Sequence, residues 1–567
     1  MMVDSVTLEV IRNGCIAIAE EMNANLIRTG YSPNIKERRD CSCALFDAEG
    51  EMISQAENMP VHLGAMPFSV AAAVDAYGGD LEPGDAVLLN DPFRGGAHLP
   101  DLTLVSPIFD DPESENPDLV AYAANRAHHA DVGGSTAGSV AADSTEIYQE
   151  GLRIPPVKLF AGGEVVEDVM EMILTNVRTP DERRGDIRAQ EAANETARER
   201  VHDLVDDYGA SDLAEAFGEV KDYSERRMRA EIEAFPNGTY SFEDVLDDDG
   251  RGNTDLPVEA TVTVSGDEVG VDFSGTAAQT EGPVNAVLAV TSSATYYAIR
   301  CVTDPDIPPN HGCYRPITID APEGSIVNPE PPAAVVGGNL ETSQRVTDVV
   351  LGAFATEAPE RVTAAGQGTM NNITFGGTDP RSDSPYAFYE TQGGGFGARE
   401  GTDGMDGVHV HMSNTMNTPA EVLETAYPLR VRRYAYRPDS GGAGEFRGGL
   451  GLRRDIEVRG HTARFSLLAD RHQHAPYGLL GGEPGEPGAA YVFDPDADDT
   501  DDAEGERLPQ KSVHDLPPGT VVSVRTPGAG GYGDPADRDP DAVERDLRRG
   551  KISDEYADRY HEGGDGE

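Results

Sequence analysis

The densest set of residues able to hold a metal ion lies in the first quarter of the chain. Asp91, His98 and Asp101 fall in one glycine-containing loop, NDPFRGGAHLPD, and His128, His129 and Asp131 follow in RAHHADVGG. His98 and Asp101, three residues apart, suit a chelating loop. A third imidazole, from His128 or His129, completes a His/His/carboxylate set that leaves positions for water or substrate and takes Mn, Zn or Fe. Ordinary hydrogen-bonded loop histidines give the same spacing, so the spacing alone leaves both readings open. The pairs His409-Val-His411 and His472-Gln-His474 would each share one face of a strand, but without a nearby carboxylate they read as structural or surface histidines. Cys15, Cys41, Cys43, Cys301 and Cys313 are odd in number and scattered, which is no disulfide framework. Cys41-x-Cys43 is too tight for a zinc knuckle, and no chemistry is assigned to it.

Two strands joined by an acidic turn separate the two ligand loops: LTLVSPIF, then DDPESENPD, then LVAYAAN. A hairpin there returns the second cluster beside the first. Upstream, Leu8, Ile11, Cys15, Ile18, Met22 and Leu26 recur at steps of three and four, which predicts a long amphipathic helix ended by Gly30. A hairpin turning at Asp47 to Gly50 follows, then a helix from about Met66 to Ala76 and a strand at residues 86–89. Helical patterns fill residues 186–234 and alternating strands fill 239–275. Glycine clusters at 392–398, 439–452 and 478–482 predict turns with positive φ and close backbone approach. The fold class is α+β, with long helices segregated from antiparallel sheets and a glycine-rich, turn-dominated second half. Residues 1–235 form an N-terminal part carrying the metal cluster, 236–535 a β-rich and glycine-rich part of the same unit, and 536–567 a charged tail. A solvated acidic insert is expected at 494–506.

The 567 residues are 38% hydrophobic and 26% charged, a composition that excludes collagenous and wholly disordered chains. Asp and Glu number 101 against 45 Lys and Arg, a net charge of −56, and only five cations are Lys. Such a surface repels nucleic acid. With acidic residues interleaved among apolar periodicity, it reads as a folded protein adapted to high salt; a mesophilic acidic protein is the other reading. No run of eighteen apolar residues occurs, and MMVDSVTLEVIRNG lacks a basic segment followed by an apolar one. These features predict a cytoplasmic protein with no membrane partner. GxxxxGK[ST] and GxSxG are absent, so the chain offers no self-contained nucleotide or serine-hydrolase site.

Longer motifs run along nearly the whole chain: EEMNANLIRTGYSPNIKERRDCSCALFD, MPVHLGAM, NDPFRGGAHLPDLTLVSPIF, AHHADVGG, EIYQEGLRIPPVKLF, GGNLETSQRVTD, NTMNTPAEVLETAYPLRV, DSGGAGEFRGGLGL and GAGGYGDP. In these the chain resembles the hydantoinase B/oxoprolinase family, which includes the α subunit of acetone carboxylase and the C-terminal part of 5-oxoprolinase. The resemblance implies a Mn-type metal on a His-x-x-Asp pair and the first of two adjacent histidines, here His98, Asp101 and His128. His129 and Asp131 are then expected to support the ligands or carry a proton in catalysis. It also implies a hetero-oligomer with a hydantoinase A-type subunit that binds ATP and Mg. The implied reaction is ATP-dependent ring opening of a small cyclic amide, 5-oxoproline or an N-methylhydantoin. A carboxylase of the acetone or acetophenone type and a non-catalytic scaffold subunit are the alternatives.

The charge balance carries its own test. At 1 M salt the Debye length is about 3 Å, so added salt screens the self-repulsion of the acidic surface. The melting temperature is expected to rise with KCl between about 0.1 and 3 M. A salt-independent melting curve would count against adaptation to high salt.

Overall fold

The computed structural model describes residues 5–56, 58–495, 500 and 505–560. Most of the acidic insert expected at 494–506 lies outside the described residues. The N-terminal part is built on one antiparallel sheet of seven strands: β1 (Cys41–Asp47), β2 (Met52–Gln55), β3 (Ala86–Leu89), β4 (Asp101–Phe109), β5 (Leu119–His128), β6 (Val157–Ala161) and β7 (Glu164–Val165). Their spatial order is β2-β1-β5-β4-β3-β6-β7. β4 and β5 form the expected hairpin at its centre, and both are buried along almost their whole length. Covered on both faces, they read as continuous apolar runs rather than alternating ones.

Helix α1 (Ser5–Thr29) is followed by the short α2 (Pro33–Lys36), α3 (Pro60–Tyr77), α4 (Glu167–Thr175), α5 (Pro180–Tyr208) and α6 (Ala210–Glu233). The apolar stripe of α1, from Ile11 to Leu26, packs with Ala193 and Ala197 of α5 over Leu45, Ala123 and Ala127 on one face of the sheet. On the other core, Ala65, Met66 and Val70 of α3 pack with Phe46, Leu104 and Tyr122. The periodicity of 186–234 predicts one continuous helical region, but Gly209, with φ 84°, breaks it into α5 and α6. The helix expected from Met66 begins earlier, at Pro60, a residue suited to the first turn. Val61 to Met66 are all buried, so no amphipathic stripe marks that turn.

Beyond α6 the layers continue through α7 (Leu288–Val302), which packs against α3 on one side and α8 (Ser343–Ala355) on the other. α8 follows directly on a π-helical turn, Gly338–Thr342, and lies on a second sheet of β8 (Gly238–Asp248), β9 (Thr254–Ser265), β10 (Glu268–Asp272) and β11 (Ile317–Asp320), ordered β11-β10-β9-β8. The last part is a pair of sheets. One holds β12 (Asn372–Asp379), β13 (Ser384–Glu390), β16 (Ala463–Leu468) and β19 (Lys511–Leu516). The other holds β14 (Leu429–Tyr436), β15 (Leu452–Val458), β17 (Ala489–Phe493), β18 (Glu506–Arg507) and β20 (Val521–Arg525). Phe375, Phe388, Phe465, Ile456 and Val522 fill the space between them. The remaining helices are α9 (Ala420–Ala426), α10 (Pro540–Arg548) and α11 (Asp554–Ala557). Val543, Ile552, Tyr556 and Tyr560 seat residues 540–560 on Ala443. The fold is α+β, as the sequence patterns predict, and among the described residues no helix is long and apolar enough to cross a membrane.

The glycine clusters of the second half act mainly through close approach. A Cβ at Gly448 would stand 1.9 Å from the Ala529 carbonyl oxygen, and one at Gly528 would stand 1.7 Å from that of Ser440. Neither glycine has a positive φ. The seam at 441–451 and 528–531 therefore needs glycine because backbone lies directly on backbone.

The same constraint operates where α3 crosses α7. A Cβ at Gly64 would stand 2.6 Å from Ser293 Cα, an atom that cannot rotate away. Gly64→Ala is expected to force the helices apart and cost about 1–3 kcal/mol, read by urea unfolding. An unchanged unfolding midpoint would refute this tight crossing.

Candidate metal centre

The hairpin register assembles the centre. Asp101, the first residue of β4, pairs directly with His128, the last residue of β5. His98 comes from the preceding loop, where the Asp101 amide donates to the His98 carbonyl at 3.1 Å. Asn90 holds that loop closed by donating to the carbonyls of Leu99 (2.7 Å) and Leu152 (2.9 Å). Tight folding at its glycines leaves no room for side chains: a Cβ at Gly96 would meet the Asn90 carbonyl oxygen at 2.3 Å.

His98, Asp101 and His128 are buried, and one ligand atom from each lies within 4.8 Å of the others. His98 Nε2 stands 2.8 Å from Asp101 Oδ1, and His128 Nδ1 stands 3.2 Å from the same oxygen. The other carboxylate oxygen faces His62 Nε2 at 3.3 Å. Burial works against a charged carboxylate at Asp101, but the imidazoles of His98 and His62 and the hydrogen bond from His128 hold its pKa well below the usual carboxylate range. Burial pushes the His128 pKa down, which favours the neutral imidazole that a metal requires.

Several contributors lay beyond what sequence spacing shows. His62 sits in the first turn of α3 within an apolar stretch, and Asp40 approaches it at 3.8 Å. The Tyr389 ring stacks on His128 with centroids 4.5 Å apart and planes 17° from parallel. Arg38 lies 4.9 Å from the Tyr389 ring centroid and donates to the Tyr389 carbonyl at 3.1 Å. The only sequence signal for His62 is its place in MPVHLGAM; for Tyr389, more than 260 residues from His128, local pattern carries none.

His129 and Asp131 have other partners. Adjacent strand residues point to opposite faces, and His129 turns toward α5, where its Nε2 lies 3.0 Å from Gln190 Oε1. Burial, and then the nearby Arg183 charge, push its pKa down to about 4. Gln190 in turn donates to the Leu102 carbonyl and to Asn125, which binds it to both central strands. Asp131 accepts from the amides of Gly133 (3.0 Å) and Gly138 (3.2 Å) and from the Arg178 guanidinium (2.8 Å). Asp91 caps the turn at Phe93 and pairs with Arg153 at 2.8 Å. Cys41 and Cys43 are buried core thiols. His409 is bonded to Ser413 and Asn417, and His474 to Asp255.

The cluster fits a metal by a feature that its internal contacts do not satisfy. Nδ1 of His98 and Nε2 of His128 are buried without a hydrogen-bond partner, and His98 Nε2 and Asp101 Oδ2 have only the ion-pair contacts to Asp101 Oδ1 and to His62 given above. Folded proteins leave few such groups. Two ligands about 2.1 Å from one ion stand about 3.0–3.4 Å apart, and here one ligand atom from each of the three residues lies within 4.8 Å of the others. Two imidazoles and one carboxylate form a donor set for Mn, Fe or Zn.

Comparison with known proteins places this architecture. 5-Oxoprolinase 1 of Arabidopsis thaliana is 37% identical over 556 residues, covering 94% of this chain and 42% of that protein. The chain thus spans about two fifths of the length of that relative. The B component of a putative D-/L-hydantoinase from a Pseudomonas species is 31% identical over 571 residues, covering 98% of this chain and 94% of that one. The crystal structure of an ATP-dependent caprolactamase from Pseudomonas jessenii superposes with a TM-score of 0.91 at 31% identity, covering 100% of this chain and 97% of the other. Nucleotide-free acetone carboxylase shares the fold, with a TM-score of 0.87 at 20% identity over 97% of this chain and 79% of the other. Residues 4–535 match the family model described as hydantoinase B/oxoprolinase, and the chain belongs to that family.

Proposed function

We propose that the chain is the metal-bearing subunit of an ATP-dependent cyclic-amide hydrolase, opening 5-oxoproline or an N-methylhydantoin together with a separate hydantoinase A-type subunit that binds ATP and Mg. The observation that carries the proposal is the buried His98, Asp101 and His128 cluster with its unpartnered ligand atoms. The similarity to a caprolactamase and to the B component of a hydantoinase supports the reaction class and the partner. The absence of a P-loop motif fits the division of labour between two chains.

A metal ion held by His98, Asp101 and His128 supplies Lewis-acid chemistry, polarising a carbonyl or lowering the pKa of water. The residues of this chain prepare that chemistry. Asp101 stays ionised and faces three imidazoles, so its charge is fixed at the point where a cation is needed. Tyr389 holds the plane of the His128 ring, and burial keeps bulk water away. The partner's phosphorylation of the amide oxygen removes the resonance that makes an amide a poor electrophile, so that hydrolysis here can follow. His129 is a positioning residue in this scheme: through Gln190 it ties the end of β5 to α5 and keeps His128 in register with Asp101. Asp131, bonded to Arg178, shapes the turn behind it.

His128→Ala is expected to abolish both metal retention and partner-coupled turnover, whereas His129→Ala retains most of the metal and slows turnover by about 10–100-fold. Metal analysis of the two purified variants checks this, and stoichiometric metal in the His128 variant would reverse the assignment. ATP hydrolysis is expected only when the chain is mixed with its A-type partner and a cyclic amide. Robust ATP turnover by the isolated chain would overturn the division of labour.

A further inference from the structure

Separate from the metal cluster, a cleft of about 370 Å³ opens between α7, the end of α8 and residues 396–405. Tyr297, Leu351, Val362 and Phe396 give it apolar walls. Set in these walls are polar atoms with nothing to bind: both ring nitrogens of His411 and Oγ1 of Thr363 are buried and have no hydrogen-bond partner.

His411 is built for the cleft. It is only 4% exposed, and it holds φ at 46°, an uncommon conformation for a residue other than glycine. Such conformations collect at binding sites, where the surroundings impose them. Its imidazole sits edge-on to Tyr297 (centroids 5.9 Å apart) and 5.5 Å from the Phe396 ring, both lining the same cleft. Behind it stands Asp348, whose Oδ1 lies 3.8 Å from His411 Nε2 while its Oδ2 takes the Arg471 guanidinium at 2.9 Å.

A neutral imidazole offers one donor and one acceptor, and a threonine hydroxyl offers both. A secondary ring amide presents one N–H and one C=O side by side on an apolar ring. The cleft volume falls in the range of small-ligand pockets. Its aromatic and aliphatic side chains share the walls with Glu360, with Arg361, which faces Glu231, and with Asp403, which is bound to Arg538. At the mouth, Arg399 is exposed and has no acidic partner among the described residues. One backbone bond links this region to the metal centre: the Val61 amide donates to the Met412 carbonyl at 3.4 Å, joining the neighbour of His411 to the neighbour of His62.

We propose that this cleft is the docking site for a small cyclic amide, with His411 and Thr363 reading the amide edge, Tyr297 and Phe396 holding the ring, and Arg399 meeting a carboxylate on substrates that carry one. This assignment rests on the cyclic-amide reading of the metal centre. The test is binding by saturation-transfer NMR on the full chain, using ε-caprolactam, 1-methylhydantoin, 5-oxoproline and, as a ring without an amide, cycloheptanone. The three amides are expected to bind more tightly than the ketone. Thr363→Val, which removes only a hydroxyl, and His411→Asn, which keeps a residue tolerant of positive φ, are each expected to weaken all three amides by about tenfold. Both variants are expected to keep the parent's metal content. Arg399→Gln is expected to weaken 5-oxoproline alone. Amide binding no tighter than cycloheptanone, or affinities unchanged in both Thr363→Val and His411→Asn, would overturn the proposal. Tight, variant-sensitive amide binding without partner-coupled turnover would instead sink the hydrolase reading and leave the docking site standing.

Discussion

The geometry of the candidate metal centre depends on the register of a single strand pair. Asp101 and His128 are opposite each other because β4 and β5 pair from Asp101↔His128 through Phe109↔Leu119. A slip of one residue would turn His128 to the face that His129 now occupies. The register is fixed from several directions. Thr103 accepts from Arg126 across the two strands at 2.9 Å, Asn125 is bonded to Gln190 and Asn194 of α5, and the hairpin is buried between helical layers. Polar side chains at the centre of an apolar sheet thus do the aligning, through partners on other elements.

Buried charge in the β-rich part is paired with opposite charge. Arg454 pairs with Glu390 and donates to the Thr418 carbonyl, and Arg345 and Lys511 both bind Asp470, although Nε of Arg454 and of Arg345 is buried without a hydrogen-bond partner. Removing one member of such a set leaves an uncompensated charge, which typically costs about 3–5 kcal/mol. Around Asp101 and at His411, ring nitrogens are likewise buried without a hydrogen-bond partner.

Much of this was legible in the sequence wherever the signal was local. The stripe of α1, the β4/β5 hairpin and the i, i+3 spacing of His98 and Asp101 are all short-range patterns. The choice of His128 over His129 came from family resemblance, and the alternation of side chains along β5 gives it a physical reason. His62 stayed hidden because a lone histidine in an apolar run has no periodic or chelating partner nearby; its partner, Asp101, comes from another element. Tyr389 was beyond local reasoning, since its neighbours Arg38 and His128 lie hundreds of residues away in the chain; His411 shows in the sequence only as half of a His-x-His pair without a nearby carboxylate, because its cleft is assembled from α7, α8 and residues 396–405. The start of α3 was missed because a helix buried on all sides shows no stripe. The glycine clusters were recognised as close-approach sites, but their positive φ values were mostly not realised, because sequence does not reveal which of glycine's two freedoms a position uses.

The C-terminal segment changes how relatives should be compared. Arg538 clamps Asp403 through two bonds of 2.7 and 2.9 Å and binds Asp546 at 2.8 Å, while Asp403 also accepts from the Arg447 amide. Asp403 belongs to the 396–405 segment that forms one wall of the cleft. Both Arg538 and Asp546 lie beyond residue 535, where the family match stops. A brace for one cleft wall is therefore supplied from outside the stretch by which family membership is recognised. Relatives with the same internal motifs but a different ending must hold that wall by other means, so differences in cleft shape among them can originate in residues outside the span of the family model.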